Sequence, residues 1–142
     1  MKKPFLYLTP FLLIILTFSF CKTVTYTADN LPTRQLYFGS GGGFTGAVSE
    51  YLVLENGQIF KHLSETSYDE LKKTKKKTAE GFYATYDELK LNELQFVRPG
   101  NMYFFLRMVD GDKEHYISWG DHNKNTYPKV KELHLNLMKT LK

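Results

Sequence analysis

The stretch GGGFTGAV at 41–48 is the densest candidate for chemistry in the chain. Its spelling, G-x-G-x-x-G-x-V, matches the glycine-rich loop that covers ATP phosphates in protein kinases. Its first six letters also spell the dinucleotide fingerprint. Each chemistry needs companions. A dinucleotide site needs a helix directly after the glycines, so that its N-terminus meets the pyrophosphate. Here AVSEYLVLENG follows, which reads as a strand ending in a hairpin. A kinase loop does sit between two strands, and Lys61 could imitate the strand lysine. The catalytic-loop and D-F-G motifs are absent, as is the lysine-serine/threonine ending of a P-loop. No nucleotide and no cofactor are therefore expected. Gly41, Gly42, Gly43 and Gly46 read first as a wide turn or bulge, in which several residues take φ > 0 or another backbone approaches closely. The alternative is an exposed recognition loop with Phe44 at its tip, because an apolar aromatic beside flexible glycines makes an interface anchor.

Other candidate chemistry is thin. The four histidines are His62, His115, His122 and His134, and none lies in H-E-x-x-H or another tight ligand spacing. No metal site is expected. His115 and His134 read as packing residues. No G-x-S-x-G or Ser-His-Asp constellation is suggested, so the chain is expected not to be an enzyme. Asp121-His122 follows Trp119-Gly120, and a small pocket near Trp119 and Asp121 is the one place where a ligand or a reaction could be housed. The run KKTKKK at 72–77 reads as a solvated face, with contact to anionic lipid headgroups as the alternative.

The N-terminus bears on that alternative. Lys2 and Lys3 precede an apolar run at 5–20 that contains Pro10 and stops at Cys21, the single cysteine. A helix needs about 20 apolar residues to cross the hydrocarbon core, so a secretory signal fits better than a permanent anchor. A lone thiol ending such a run resembles a bacterial lipoprotein signal, in which the cysteine is lipidated and becomes the mature N-terminus. Phe20 stands where a small residue is usual, although Ser19 is small. An ordinary cleaved signal and an uncleaved anchor remain as alternatives. A single cysteine allows no internal disulfide, so the fold must rest on packing alone.

Net charge is +4, and Lys2 and Lys3 supply two of those charges, leaving +2 without the leader. That balance gives no case for nucleic acid. Aromatics make up 15% of the chain, including 11 Phe and 10 Tyr, which is enough for a core. The expected organisation is a signal at 1–20, a lipidated cysteine and polar tether at 21–34, and one domain at 35–142. Extended, that tether would reach roughly 45 Å.

The elements that must position these residues are legible in outline. A short strand is expected at 35–38. Strands at 48–54 and 58–62 flank Asn56-Gly57, a two-residue hairpin signal whose central residues both take φ > 0. Ala79, Phe82, Tyr83, Tyr86 and Leu89 recur at steps of three and four and predict a helix near 75–90. Strands at 102–109 and 113–119 flank Asp110-Gly111. Pairing outward from a 110–111 loop sets Met102 opposite Trp119, Phe104 opposite Ile117, Leu106 opposite His115 and Met108 opposite Lys113 on a core face. Tyr103 opposite Ser118, Phe105 opposite Tyr116 and Arg107 opposite Glu114 lie on the other face, which is expected to be covered by a helix, with exposure to a partner as the alternative. Pro128 opens a final helix with Val130, Leu133, Leu137 and Leu141 as its stripe. SYDELK at 67–72 and TYDELK at 85–90 each carry the capping-box spelling. The predicted fold is α+β, an antiparallel sheet built from hairpins with two helices on one face, in the order β-β-β-α-β-β-α.

FGSGGGFTG, YLVLENG at 51–57, PGNMYFF at 99–105 and ISWGD at 117–121, followed by the Pro-led helix, resemble a group of small bacterial lipoproteins. More distantly, the glycine start, the hairpins and the ending helix are similar to emfourin-type inhibitors of thermolysin-like metalloproteases, with an extra glycine here. The resemblance implies no more than a small exported domain that docks on a protein through this loop, and it transfers no inhibitory residues. The expected role is thus a lipid-anchored protein-binding module of the cell envelope, in a bacterial membrane and preferentially the outer one. A ligand-binding or catalytic lipoprotein with a pocket at Trp119 and Asp121 is the alternative.

Overall fold

Alternation of apolar and polar residues builds seven segments of the chain into one sheet. A computed structural model describes residues 24–120 and 127–142. The strands are β1 (Arg34–Gly42), β2 (Val48–Val53), β3 (Gln58–Ser64), β4 (Ser67–Lys73), β5 (Val97–Arg98), β6 (Met102–Asp110) and β7 (Lys113–Gly120). The helices are α1 (Lys76–Glu88) and α2 (Pro128–Lys139), with a short 3-10 turn at Leu91–Glu93 between α1 and β5. The strand order is β4-β3-β2-β1-β6-β7-β5, antiparallel except for the β5–β7 pair. The fold is thus α+β, with a mostly antiparallel sheet and two helices. Among the described residues, no helix is long and apolar enough to cross a membrane.

The order differs from the expected β-β-β-α-β-β-α by two strands. Residues 67–73, spelled like a helix start, form the edge strand β4. Tyr68 pairs with His62 and stacks on its ring at 4.7 Å, while bulges interrupt the ladder twice. Tertiary pairing overrides weak local propensity here, and the lysines at its end suit an unpaired edge. The second copy of that spelling closes α1 instead of opening it. Thr85 bonds back to Gly81 O at 2.8 Å, so its hydroxyl caps nothing. The two residues of β5 are too few to show a period. The strand expected at 35–38 extends to Gly42 because β2 and β6 pair with it on both sides.

Both hairpins form at the expected places with different turns. Leu54 N–H donates to Gln58 O, so Glu55, Asn56 and Gly57 make a three-residue loop in which only Gly57 takes φ > 0. This is the turn-plus-bulge alternative to a two-residue turn. In the second hairpin Asp110 pairs with Lys113, so the loop is Gly111-Asp112 and only Gly111 has positive φ. The register moves by two: Phe104 faces Trp119, Leu106 faces Ile117 and Met108 faces His115. An even shift keeps every side chain on its predicted face, where an odd one would invert the sheet. Arg107 and Glu114 are diagonal neighbours at 3.6 Å and not opposite each other.

The helices bury one face. Ala79, Phe82, Tyr83 and Tyr86 of α1 and Val130, Leu133 and Leu137 of α2 pack on Leu36, Phe38, Val53, Ile59, Leu106, Met108, Ile117 and Trp119. The Tyr83 hydroxyl ties α1 to the ladder, donating to Val53 O at 2.7 Å and accepting from Leu36 N at 3.0 Å. Burial raises its phenol pKa. Tyr86 reaches His115 on β7 at 2.9 Å.

Among the described residues the opposite face carries no helix, contrary to the covered face expected for Tyr103, Phe105 and Tyr116. Its inner part is Tyr37, Leu52, Leu54 and Phe60, flanked by Tyr26 and Leu31. Residues 24–33, expected to be an extended tether, lie against this end of the sheet. Tyr26 N–H donates to Gln58 Oε1 at 2.7 Å, Gln58 Nε2 donates to Tyr26 O at 3.0 Å, and Asn56 Nδ2 donates to Val24 O at 2.8 Å.

Candidate functional site

The glycine stretch divides into two parts. Gly39 and Gly41 are strand residues, paired with Phe105 and Tyr103 across the β1–β6 ladder. A Cβ at Gly39 would lie 2.9 Å from the Phe105 ring and 2.0 Å from Ser49 O. A Cβ at Gly41 would lie 2.5 Å from the Tyr103 ring. The missing side chains let both rings lie across β1, the arrangement by which aromatics shield glycine in a sheet. Tyr116 stacks on Phe105 at 5.6 Å. Phe105 is therefore buried without any helix above it, and Tyr103 and Tyr116 are half-buried.

The remaining glycines make the β1–β2 turn. Gly42, Gly43 and Gly46 take positive φ. Three main-chain bonds hold the turn: Gly42 N to Ala47 O, Gly46 N to Gly43 O, and Gly43 N to Asn101 O at 2.7 Å. Phe44 sits at the tip and is 106% exposed. Val48 and Met102 beside it are exposed too, and the Met102 sulfur lies 3.0 Å from where a Gly43 Cβ would be. Of the stretch singled out in the sequence, Gly43, Phe44 and Gly46 belong to the turn, while Gly41 and Gly42 end the strand.

At Trp119 the structure has both a buried indole and a cavity. Trp119 is 2% exposed, and a recess of about 340 Å³ is lined by Phe104, Trp119, Lys131, His134, Leu135 and Met138. His134 reaches from α2 into the core, and its Nε2–H donates to Gly39 O at 2.9 Å. Its ring lies 5.4 Å from both Phe104 and Trp119. Burial lowers its pKa, and the bond to Gly39 partly offsets that, so the neutral ring is favoured. A larger recess of about 530 Å³ between Leu89–Leu94 and Tyr127–Val130 is mostly apolar, with Lys90, Glu93 and Lys129 among its lining residues. Asp121, His122 and Cys21 lie outside the described residues.

The most concentrated polar constellation escaped the sequence reading. Glu50 on β2 accepts two bonds from Arg107 on β6, at 3.1 and 2.9 Å, and one from His62 Nδ1 on β3. The Arg107 guanidinium lies 3.8 Å from the centre of the Tyr37 ring, a cation–π contact. Tyr37 and Tyr68 share a hydroxyl contact at 3.0 Å. Burial first, and that contact second, raise the Tyr37 pKa. A carboxylate that orients an imidazole through Nδ1 leaves Nε2 as the working atom of a base. Here His62 Nε2 is buried and has no hydrogen-bond partner among the described residues. No local spacing announces the constellation, because the partners come from five strands that only the sheet brings together. Among the described residues, no three His, Cys, Asp or Glu side chains lie together as a metal site.

No protein-family model matches the chain, and no curated protein matches it.

Proposed function

We propose that this chain is a lipid-anchored protein of the bacterial cell envelope, in the outer membrane by preference, that docks on another protein through the Phe44 turn. The observation that carries the docking reading is the full exposure of Phe44 on a turn braced by three main-chain bonds. A large aromatic in water on a pre-ordered turn loses little conformational freedom when a partner buries it. Val48 and Met102 extend the apolar tip. The anchor reading rests on the basic start, the apolar run and Cys21. In this reading the module has no catalytic residues and needs no metal or cofactor.

Three experiments test it. Phe44→Ala leaves stability within about 0.5 kcal/mol of wild type and loses the partner that wild type recovers from envelope extracts. Equal recovery by the variant sinks the loop assignment. In its protease-inhibitor form, wild type lowers the activity of a thermolysin-like metalloprotease and Phe44→Ala does not. Mass spectrometry of the N-terminal peptide reads acylation of Cys21, and an unmodified chain beginning elsewhere ends the anchor reading.

The recess at Trp119 favours a second reading, in which the pocket near Trp119 and Asp121 takes a small apolar ligand. Leu135→Trp would fill that recess. Unchanged ligand binding in that variant would remove this reading.

A further inference from the structure

The lysine run and the start of the described chain meet at one corner of the sheet. Asn56 in the β2–β3 loop donates to Val24 O at 2.8 Å. The next residue, Gly57, accepts from Thr74 N at 2.8 Å, and Thr74 is the centre of KKTKKK. Val24 and Lys76 line the same surface recess. The apolar run ends at Phe20, four residues before Val24, so at most about 14 Å of chain separates them. Whether the leader is retained as an anchor or is replaced by lipid on Cys21, the membrane attachment point lies close to these lysines.

Glu55 and Glu80 share this corner with the lysines, and each is taken up in an ion pair. Lys76 pairs with Glu80 at 3.5 Å, and Arg34 takes up Glu55 and Asp87. Lys72, Lys73, Lys75 and Lys77 pair with no carboxylate among the described residues. Lys73, Lys75 and Lys77 are exposed and Lys72 is half-buried. Asp69 and Glu70 lie further along β4, and Glu70 accepts from Gln58. Asp110 and Asp112 belong to the β6–β7 turn, four strand spacings or about 19 Å from β4, well beyond the Debye length of roughly 8 Å at physiological salt.

We infer that the corner made by the β2–β3 loop, the end of β4 and the start of α1 rests on an anionic bilayer, with lipid phosphates as the ligands of Lys72, Lys73, Lys75 and Lys77. This inference rests on the anchor reading of the preceding section. It also sets an orientation. Strand β1 runs away from this corner for nine residues, so the Phe44 turn stands roughly 27 Å from the headgroups and faces the aqueous side.

The test maps lysine reactivity by amine acylation and mass spectrometry on the full chain in vesicles. One set is phosphatidylcholine alone; the other contains about a third phosphatidylglycerol. A lysine near an anionic surface gains roughly fivefold in partitioning, so these four lysines should react about fivefold more slowly on the anionic vesicles. Lys139 on α2 should react equally on both. Salt at about 0.5 M should restore the four. In Lys75→Gln/Lys77→Gln, Lys72 and Lys73 should regain reactivity on anionic vesicles. A chain that floats with both vesicle types while the four lysines react equally overturns the inference and leaves the anchor intact. Equal protection on neutral and anionic vesicles overturns the headgroup recognition. A chain that floats with neither overturns the anchor reading and the inference together.

Discussion

The two faces of the sheet solve burial in different ways. On the helix face, α1 and α2 lay apolar stripes over Leu36, Phe38, Leu106 and Ile117, and the ring of His134 is the polar intrusion. On the other face no helix lies among the described residues. One row crosses all seven strands there: Tyr68, His62, Glu50, Gly39, Phe105, Ser118 and Val97. It is held at one end by a stacked imidazole and a bonded carboxylate, and at its centre by an aromatic ring lying over a glycine. The comparison teaches that a face without helices can still bury its centre where rings lie over glycine and charges are paired.

The comparison can be broken by substitution, read as the free energy of urea unfolding. Leu106→Ala on the helix face should cost about 4 kcal/mol, because neighbours locked under two helices cannot collapse into the cavity. Gly39→Ala should cost about 3 kcal/mol, since the new methyl meets Ser49 backbone oxygen as well as the Phe105 ring. Adding Phe105→Leu should recover only the ring's part of that cost. A neutral Gly39→Ala would mean that the ring over β1 does not seal the bare face.

Arg107→Ala should cost about 2 kcal/mol. That is less than for a fully buried pair, because both side chains keep 15–18% of their exposure. Glu50→Gln in the Arg107→Ala background should then restore part of the loss by removing the stranded charge. Additive losses in the double variant would show that the two residues act only as packing.

The smallest expected effect is pH dependence from His134. Its folded pKa is lowered, so the unfolded chain takes up a proton first as pH falls through about 6.5. Stability from this group is present above that pH and is lost below it. The stability difference between wild type and His134→Asn should therefore shrink from pH 7.5 to 5.5. A constant difference would mean that His134 is not held neutral on the helix face.

Local patterns carried a definite share of this fold. Ala79, Phe82, Tyr83 and Tyr86 fall on one side of a 3.6-residue repeat, and Val130, Leu133 and Leu137 do the same, so both helices and their buried stripes were legible. The alternation in 102–109 and 113–119 fixed which side chains share a face. Gly57 and Gly111 marked the two hairpins, because the chain reverses there only with positive φ. The exposed Phe44 turn was one of two readings of GGGFTGAV, and its neighbours Gly39 and Gly41 look the same in sequence whether they lie in a loop or a strand.

What remained was decided by partners distant in sequence. Hairpin register depends on where the loop begins and how many residues it holds, a choice settled by pairing along the whole strand and not by the turn's own letters. Strand β4 exists because β3 offers it an edge, and its residues taken alone spell a helix cap just as well. Glu50 meets His62 across 12 residues and Arg107 across 57. No period or motif encodes such a meeting, since each partner is placed by a different strand. Residue types and their short-range spacing determined the elements and the sides they bury; only the assembled sheet decided which glycines are roofed by rings, which charges are paired, and that the lysine run sits where the chain enters the domain.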